Sequence, residues 1–160
     1  MKLSRFIVLI AALLFIGIAI VVVSAQAPDP LIGTWELNVA KSAFKTGPRL
    51  KSSTREFEAV PKGLKYSGQS VREDGTTSAT RWTAYFDGKD YPVTGDPASD
   101  TISLKRVDRF NTEGTFKKAG KVISHVTRVV SKDGKVWTHT TEGTDAQGKP
   151  YSYVLVFDKK

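Results

Sequence analysis

The sequence ATRWTAYFDG, residues 79–88, contains the pattern that decides the fold. Thr80, Trp82 and Ala84 occupy every second position, so their side chains share one face of an extended strand. The stretch ends in Asp87-Gly88, and an Asp-Gly pair between two β-type runs is the strongest short hairpin signal. It therefore predicts a half-buried β-strand that turns directly into an antiparallel neighbour.

The same alternation and the same turn chemistry recur through the rest of the chain. Short segments rich in Thr, Val, Tyr, Phe and Trp lie between turns that contain Gly, Pro or Asp. One helix candidate, Val39–Phe44, is too short to be stable without tertiary support. We therefore expect an all-β domain of about eight to ten strands, at 33–38, 53–60, 64–72, 76–86, 90–93, 101–106, 109–117, 121–131, 135–143 and 150–158.

The way these strands connect predicts a closed sheet. Successive hairpins without helical crossovers indicate an antiparallel meander. An open meander of this length would leave two exposed edge strands, whereas closure into an up-and-down β-barrel removes both. A two-sheet sandwich is the alternative, but it needs longer connections than these turns supply. We predict the barrel.

The N-terminal segment has the pattern of an export signal. Lys2 and Arg5 precede an uncharged stretch at 6–23, and small residues suit cleavage after Ala25. An uncleaved membrane anchor is the alternative, because a helix of this length spans about 27 Å, close to the thickness of a bilayer core. In both cases we expect residues 26–160 in the periplasm or outside the cell, since the positive charges lie on the short N-terminal side.

Composition divides the chain into a signal segment, residues 1–25, and one domain, residues 26–160. With 40% hydrophobic and 25% charged residues the composition is that of a globular protein. The absence of cysteine excludes disulfides and thiolate metal sites. The formal net charge is +8, but the lysines are scattered singly and form no nucleic-acid-binding run. We expect a monomer with no nucleic-acid partner, which touches a membrane only if the apolar stretch is retained.

Two segments resemble a known class of protein. Gly33-Thr34-Trp35 begins the first predicted strand with a G-x-W pattern, similar to the start of the lipocalins, where the Trp plugs the closed end of the barrel. The longer run GTWELNVAKSAF at 33–44, with YFDGKDYPVTGDP at 85–97, resembles exported bacterial lipocalin-like (calycin-type) proteins of uncharacterised function. The resemblance implies a small ligand-binding barrel in which Gly33 and Trp35 are structural.

The last predicted strand departs from two related patterns. Lipocalins usually set an arginine from the end of the barrel against the G-x-W tryptophan, and this strand contains no arginine. The Arg-x-Tyr pair of fatty-acid-binding barrels is also missing, because Tyr151-Ser152-Tyr153 stands in its place. The sequence therefore does not support a fatty acid held by its carboxylate.

The two histidines, His125 and His139, occupy consecutive predicted strands. If Asp133-Gly134 is a two-residue loop, the numbers of two residues that face each other across the strands add up to 267, and the two histidine rings lie on opposite faces of the sheet. If Gly134 forms a bulge in a three-residue loop, the sums are 266, the rings share a face, and a metal pair becomes conceivable. No third ligand and no G-x-S-x-G motif are evident, and Ser124 points away from the His125 face. We therefore expect no metal, no cofactor and no enzymatic activity.

A small barrel is either filled by its own side chains or leaves room for one ligand. Arg81 and Tyr85 share one strand face while Trp82 takes the other, so only one of these sets can line the lumen. We expect a binding protein for a small apolar or amphipathic molecule such as a lipid. The alternative is a ligand-free envelope module that acts through its surface. The residues expected at the ligand are Tyr66, Arg81, Tyr85, Arg106, His125, Arg128 and Tyr153.

Overall fold

The computed structural model of the chain describes residues 28–46, 49–145 and 147–160. These residues form ten β-strands, and no helix occurs among them. The strands are β1 Gly33–Phe44, β2 Leu50–Val60, β3 Gly63–Arg72, β4 Thr77–Tyr85, β5 Tyr91–Thr94, β6 Thr101–Arg106, β7 Asn111–Lys118, β8 Lys121–Val130, β9 Val136–Thr144 and β10 Pro150–Lys159.

All ten strands belong to one closed antiparallel barrel. Each strand pairs with its neighbours in the sequence, and β1 pairs with β10 to close the sheet. Both predicted turns contain a glycine with a positive φ, 74° at Gly88 and 71° at Gly134. The Gly134 turn closes a tight β8–β9 hairpin, since Gly134 N–H donates to the Ser131 carbonyl oxygen. Asp87-Gly88 instead lies in a five-residue connection, 86–90, and β4 pairs with β5 only at Arg81–Thr94 and Trp82–Val93. The predicted up-and-down barrel is confirmed, and the sandwich alternative is wrong.

The helix candidate Val39–Phe44 is wrong, because these residues are the second half of β1. The register between β1 and β10 shifts between Asn38 and Ala43, so the strand bulges there. Inside the bulge the Ser42 hydroxyl donates to the Asn38 carbonyl oxygen at 2.7 Å, and it accepts from the Val156 N–H at 3.0 Å. Closing the sheet requires β1 to continue to its partner strand.

One half of the barrel is filled by its own side chains. The layer Trp35, Phe57, Trp137 and Phe157 has at most 1% of each side chain exposed. Trp137 stacks on Phe157 with ring centroids 4.4 Å apart and meets Phe57 edge-on at 5.2 Å. We call this layer and the apolar residues below it the closed half. Leu31, from the segment before β1, covers it and accepts the indole N–H of Trp35 at 2.8 Å through its carbonyl oxygen.

A lysine occupies the place of the arginine that the last strand lacks. Lys159 Nζ lies 5.0 Å from the centroid of the Trp35 ring and donates to the Pro30 carbonyl oxygen at 3.2 Å. Gly33 has a φ of 125°, and a Cβ there would lie only 2.9 Å from Lys159 Cε. Gly33 and Trp35 thus lie where the G-x-W resemblance puts them, with a different cation against the ring.

The predicted signal segment, residues 1–25, lies outside the described residues, and so does its apolar stretch at 6–23. Within the part of the chain that the structure describes, no helix is long and apolar enough to cross a membrane.

Candidate ligand-binding cavity

A cavity of about 590 Å³ occupies the other half of the barrel, opposite the Trp35 end. We call it the open half. Its rim includes Thr46, Asp145, Lys149 and residues 96–98. Its walls are the inward faces of strands from all sides of the barrel. Aromatic and aliphatic side chains supply most of the upper wall: Phe44, Leu50, Phe116, Ile123, Tyr151 and Tyr153.

The strand face that lines this lumen is the one that carries Trp82. In β4, Ser78, Thr80 and Trp82 point inward and line the cavity. Arg81 and Tyr85 occupy the alternate positions and are exposed, Tyr85 by 38% of its surface. The sequence alone did not decide which of these two faces lines the lumen. The Trp82 face turns inward because the large indole ring is buried there.

Two inward-facing glycines make room in the wall. Gly68 lies under the Tyr66 ring, where a Cβ would collide with the phenol. A Cβ on Gly114 would come within 2.9 Å of Val126 and 3.0 Å of the Arg128 guanidinium. Since real Cβ contacts are essentially never this close, both positions must stay glycine if Tyr66 and Arg128 keep their places.

The floor of the cavity is a cluster of basic side chains. Arg55 comes from β2, Arg128 from β8 and His139 from β9, where Arg128 and His139 face each other across the strand pair. Arg128 is 3% exposed and His139 is 5% exposed. The Arg55 guanidinium crosses the lumen to lie 4.6 Å from the ring centroid of Phe157, at the top of the closed half. We call these three residues the basic floor.

Burial changes the proton affinity of this cluster. It lowers the pKa of Arg128 from its ordinary value to about 10, while Tyr66 raises this pKa and the charge of Arg55 lowers it further. The guanidinium therefore still carries its charge at neutral pH. Burial holds the pKa of His139 well below its ordinary 6.5, and the charges of Arg55 and Arg128 push it in the same direction. His139 is therefore neutral at pH 7, between two cations.

Several donors of the basic floor have no partner. Arg128 Nη1, Arg55 Nε and His139 Nδ1 are buried and form no hydrogen bond among the described residues. Neither arginine forms an ion pair with a carboxylate in the described part of the chain. The other ring nitrogen of His139 is satisfied, because Nε2 lies 2.9 Å from the Thr141 hydroxyl. Buried polar groups in proteins are normally paired, so these donors require an explanation.

The rim of the cavity is polar. Tyr151 and Asp145 lie there, and burial together with the neighbouring Tyr153 raises the pKa of Tyr151. The two rim carboxylates are occupied by the backbone of their own turns: Asp96 accepts from the Ala98 N–H, and Asp145 accepts from the Lys149 N–H, both at 2.9 Å. They are therefore turn caps and not counter-ions for the floor.

Three of the seven residues predicted at the ligand line the cavity, namely Tyr66, Arg128 and Tyr153. The other four do not, because Arg81, Tyr85, Arg106 and His125 lie on the outer face or at the closed end. Arg81, Tyr85 and His125 take the outward faces of their strands, whereas Arg106 shares the inward face of β6 but lies at the closed end. The structure therefore corrects the prediction for these four residues.

Arg106 and His125 have other partners. Arg106 forms an ion pair with Asp29 and lies 4.1 Å from the ring centroid of Phe86, which ties the segment before β1 to the barrel. His125 Nδ1 lies 3.2 Å from the Thr115 hydroxyl on the outer face. His125 faces Glu142 in the register, so facing positions sum to 267 and the two histidine rings lie on opposite faces. The shared-face arrangement that a metal pair required is wrong.

Sequence reasoning missed Arg55 and His139. A signal existed for both, because Arg55 shares its strand face with Phe57, and His139 shares its face with Trp137. Glu56 and Glu58 lie on the opposite, exposed face of β2. Among the described residues, no group of three or more His, Cys, Asp or Glu side chains is arranged to hold a metal ion.

Fold and cavity together define a ten-strand antiparallel barrel with one filled end and one open, basic-floored lumen. No protein-family model matches the chain, and no curated protein matches it. Among solved structures, the chain is similar to Rv2717c from M. tuberculosis, with 13% sequence identity and a TM-score of 0.50 over 82% of this chain and 93% of that one. At this identity the similarity shows the fold alone.

Two further barrels show weaker similarity. One is zebrafish ileal bile acid-binding protein complexed with cholic acid, at 10% identity and a TM-score of 0.48 over 82% of this chain and 99% of that one. The other is mFAP0, a redesigned β-barrel bound to DFHBI, at 14% identity and a TM-score of 0.41 over 81% of this chain and 99% of that one.

Proposed function

We propose that this chain is an exported, non-catalytic binding protein that holds one small amphipathic molecule inside its barrel. The observation that carries the proposal is the cavity of about 590 Å³, lined by aromatic rings together with basic side chains at its floor and polar side chains at its rim. Ligand sites in proteins are typically concave, mostly apolar and of about 300–1,000 Å³. The alternative of a filled barrel predicts no such space.

Burial of apolar surface supplies the affinity in this proposal. Removing apolar area from water contributes about 25 cal/mol per Å², part of which is lost to the entropy of association. The half-buried rings Phe44, Phe116 and Tyr153 lose their remaining exposure when a ligand fills the lumen. Export is proposed from Lys2, Arg5 and the uncharged stretch that follows them.

Native mass spectrometry tests both parts of the proposal. The full chain is expressed in a bacterial host, recovered from the envelope fraction without detergent, and compared with a denatured control. We expect an added mass that disappears on denaturation, and a polypeptide that begins at Gln26. A bare chain that also gains no mass after incubation with a lipid extract contradicts the binding function. A polypeptide that keeps Lys2 and remains in the cytoplasm contradicts export.

A cavity-filling variant locates the binding. Thr80→Trp places an indole in the lumen, whereas Thr83→Trp places the same group on the exposed face of the same strand. We expect Thr80→Trp to lose the added mass and Thr83→Trp to keep it. Retention by both variants means that the molecule binds outside the barrel.

A further inference from the structure

We propose that the basic floor is a binding site for the anionic group of the ligand, a carboxylate, sulfate or sulfonate attached to an apolar body. This inference rests on the proposed binding function and specifies the chemical class that the cavity takes. Its three residues are Arg55, Arg128 and His139, which converge from three strands at the bottom of the open half.

The charge balance of the cavity supports an anion. Its lining includes five cationic side chains, Arg55, Arg72, Lys118, Arg128 and Lys149, and two carboxylates at the rim. Those carboxylates already accept hydrogen bonds from their own turns. A buried charge is costly unless it is paired. The floor holds the buried guanidinium of Arg128 and the partly buried one of Arg55, with no counter-ion among the described residues, so a negative ligand would complete it.

A second arginine of the same barrel shows what a structural guanidinium looks like here. Arg106 lies over Phe86 as Arg55 lies over Phe157, but Arg106 also holds the carboxylate of Asp29. Arg55 and Arg128 also lie over aromatic rings, but neither forms an ion pair with a carboxylate among the described residues. Of these three arginines, the one at the closed end has a carboxylate partner, and the two that face the lumen have none among the described residues.

The geometry of the free donors fits an oxyanion. Arg128 Nη1 and Arg55 Nε are unpartnered, and guanidinium groups bind carboxylate and sulfonate oxygens through directed, charge-assisted hydrogen bonds. When the Thr141 hydroxyl donates to His139 Nε2, the ring proton lies on Nδ1, which then becomes a third donor. Two cations beside the imidazole also make this floor unsuited to a metal ion.

The walls set the orientation of the ligand. The floor rests on the closed half, so an anion bound there directs the rest of the molecule toward the rim. The path is lined by Trp82, Phe116 and Tyr153, which suit an apolar or aromatic body. The last strand contains no arginine that could bind a ligand carboxylate. Arg55 and Arg128 come instead from β2 and β8, so a carboxylate can still be bound at the floor.

The test uses two fluorescent probes that share an aromatic body and differ in charge. Anilinonaphthalene sulfonate carries the anion, and N-phenylnaphthylamine is its neutral relative. Both are titrated against the full chain and against Arg128→Met, Arg55→Met and the outer-face control Arg81→Met. Thr80→Trp, which fills the lumen, should abolish the binding of both probes and so excludes surface sites.

We expect Arg128→Met and Arg55→Met to raise the Kd of the sulfonate by about tenfold to a hundredfold, the range of a lost charge-assisted hydrogen bond. The Kd of the neutral probe should change by less than about threefold, and Arg81→Met should change neither. Arg128→Lys, which keeps the charge, should lose less affinity for the sulfonate than Arg128→Met does. If Arg128→Met does not fold, Arg128→Lys and Arg55→Met provide the same comparison.

Two other outcomes separate the two proposals. If both probes bind and the ratio of their Kd values is the same in the wild type and the arginine variants, the anion site is wrong while the binding function stands. If neither probe binds the wild-type chain at any concentration below its solubility limit, the binding function fails and the anion site fails with it.

Discussion

The two halves of this barrel use the same strands for opposite purposes. In the closed half, Trp35, Phe57, Trp137 and Phe157 interlock with almost no exposed surface. In the open half, side chains of the same type, such as Phe116, remain half-buried around a cavity. Each of several strands contributes to both halves, so the change from packed core to lumen occurs within a few residues of one strand.

Polar groups follow this division in part, because the indole N–H of Trp137 in the packed layer also has no partner among the described residues. The Trp35 indole in the closed half has a backbone partner, and Arg106 near that end has a carboxylate. At the boundary, Arg128 and His139 keep buried donors without partners. Unpaired buried donors lower the free energy of unfolding, and their presence at this boundary supports the proposed binding function.

The largest expected effect is the loss of stability when a phenylalanine of the closed half is truncated, compared with a phenylalanine of the open half. Phe157→Ala removes a fully buried ring from the closed half and should lower the free energy of unfolding by about 3–5 kcal/mol. Phe116→Ala removes a half-buried ring that borders an existing cavity, and should cost about 1 kcal/mol. Urea unfolding followed by tryptophan fluorescence measures both. Equal losses would mean that the two halves are packed alike.

The next effect has the opposite sign. Arg128→Met replaces a buried, unpaired guanidinium by an apolar side chain of similar length, and should raise the free energy of unfolding by about 1–2 kcal/mol. Arg81→Met on the exposed face of β4 should stay within about 0.5 kcal/mol of the wild type. The same urea titration, run without ligand, gives both values. A clear loss of stability in Arg128→Met would show that this arginine is structural.

A smaller effect depends on pH. His139 has a folded pKa well below the 6.5 of the unfolded chain, because of burial and then of Arg55 and Arg128. The unfolded chain therefore takes up the proton first, so this stability is complete above pH 6.5 and is lost as pH falls toward the folded pKa. Between pH 7.5 and pH 5.5 the free energy of unfolding of the wild type should fall by about 1 kcal/mol more than that of His139→Gln.

The control for this measurement is His125→Gln, which removes an imidazole from the outer face. Its free energy of unfolding should follow the wild type over the same pH range. If His139→Gln also keeps the wild-type pH dependence, the imidazole at the floor is not held neutral by its surroundings.

The strands were predictable because their signals are local. Alternation at residues 79–86 and the turn at Asp87-Gly88 depend on neighbours in the sequence, and the structure has both. The helix candidate Val39–Phe44 failed because its competitor is pairing with β10, more than a hundred residues away. Local propensity contains no information about that partner.

The site was less predictable, because it is assembled from distant strands. Tyr66 and Arg128 were found as aromatic and basic candidates, but Arg81 and Tyr85 were chosen from a face that turns outward. Both faces of β4 carry aromatic and polar groups, so the alternation alone does not show which is inside. Arg55 joins Arg128 and His139 in the basic floor only because the barrel closes, so that β2, β8 and β9 border the same lumen.

The smallest expected effect concerns the closed end itself. The Lys159 ammonium lies 5.0 Å from the centroid of the Trp35 ring and also donates to the Pro30 carbonyl oxygen. A cation over an indole at a partly exposed site contributes about 0.5–1 kcal/mol, so Lys159→Met should lower the free energy of unfolding by that amount. Lys159→Arg should keep or increase stability, since arginine pairs with aromatic faces more often. Neither change should alter the affinity for anilinonaphthalene sulfonate, because Lys159 lies beneath the packed layer that separates it from the lumen. A change in affinity would mean that the two halves of the barrel are coupled through Trp35, and that the closed end takes part in binding.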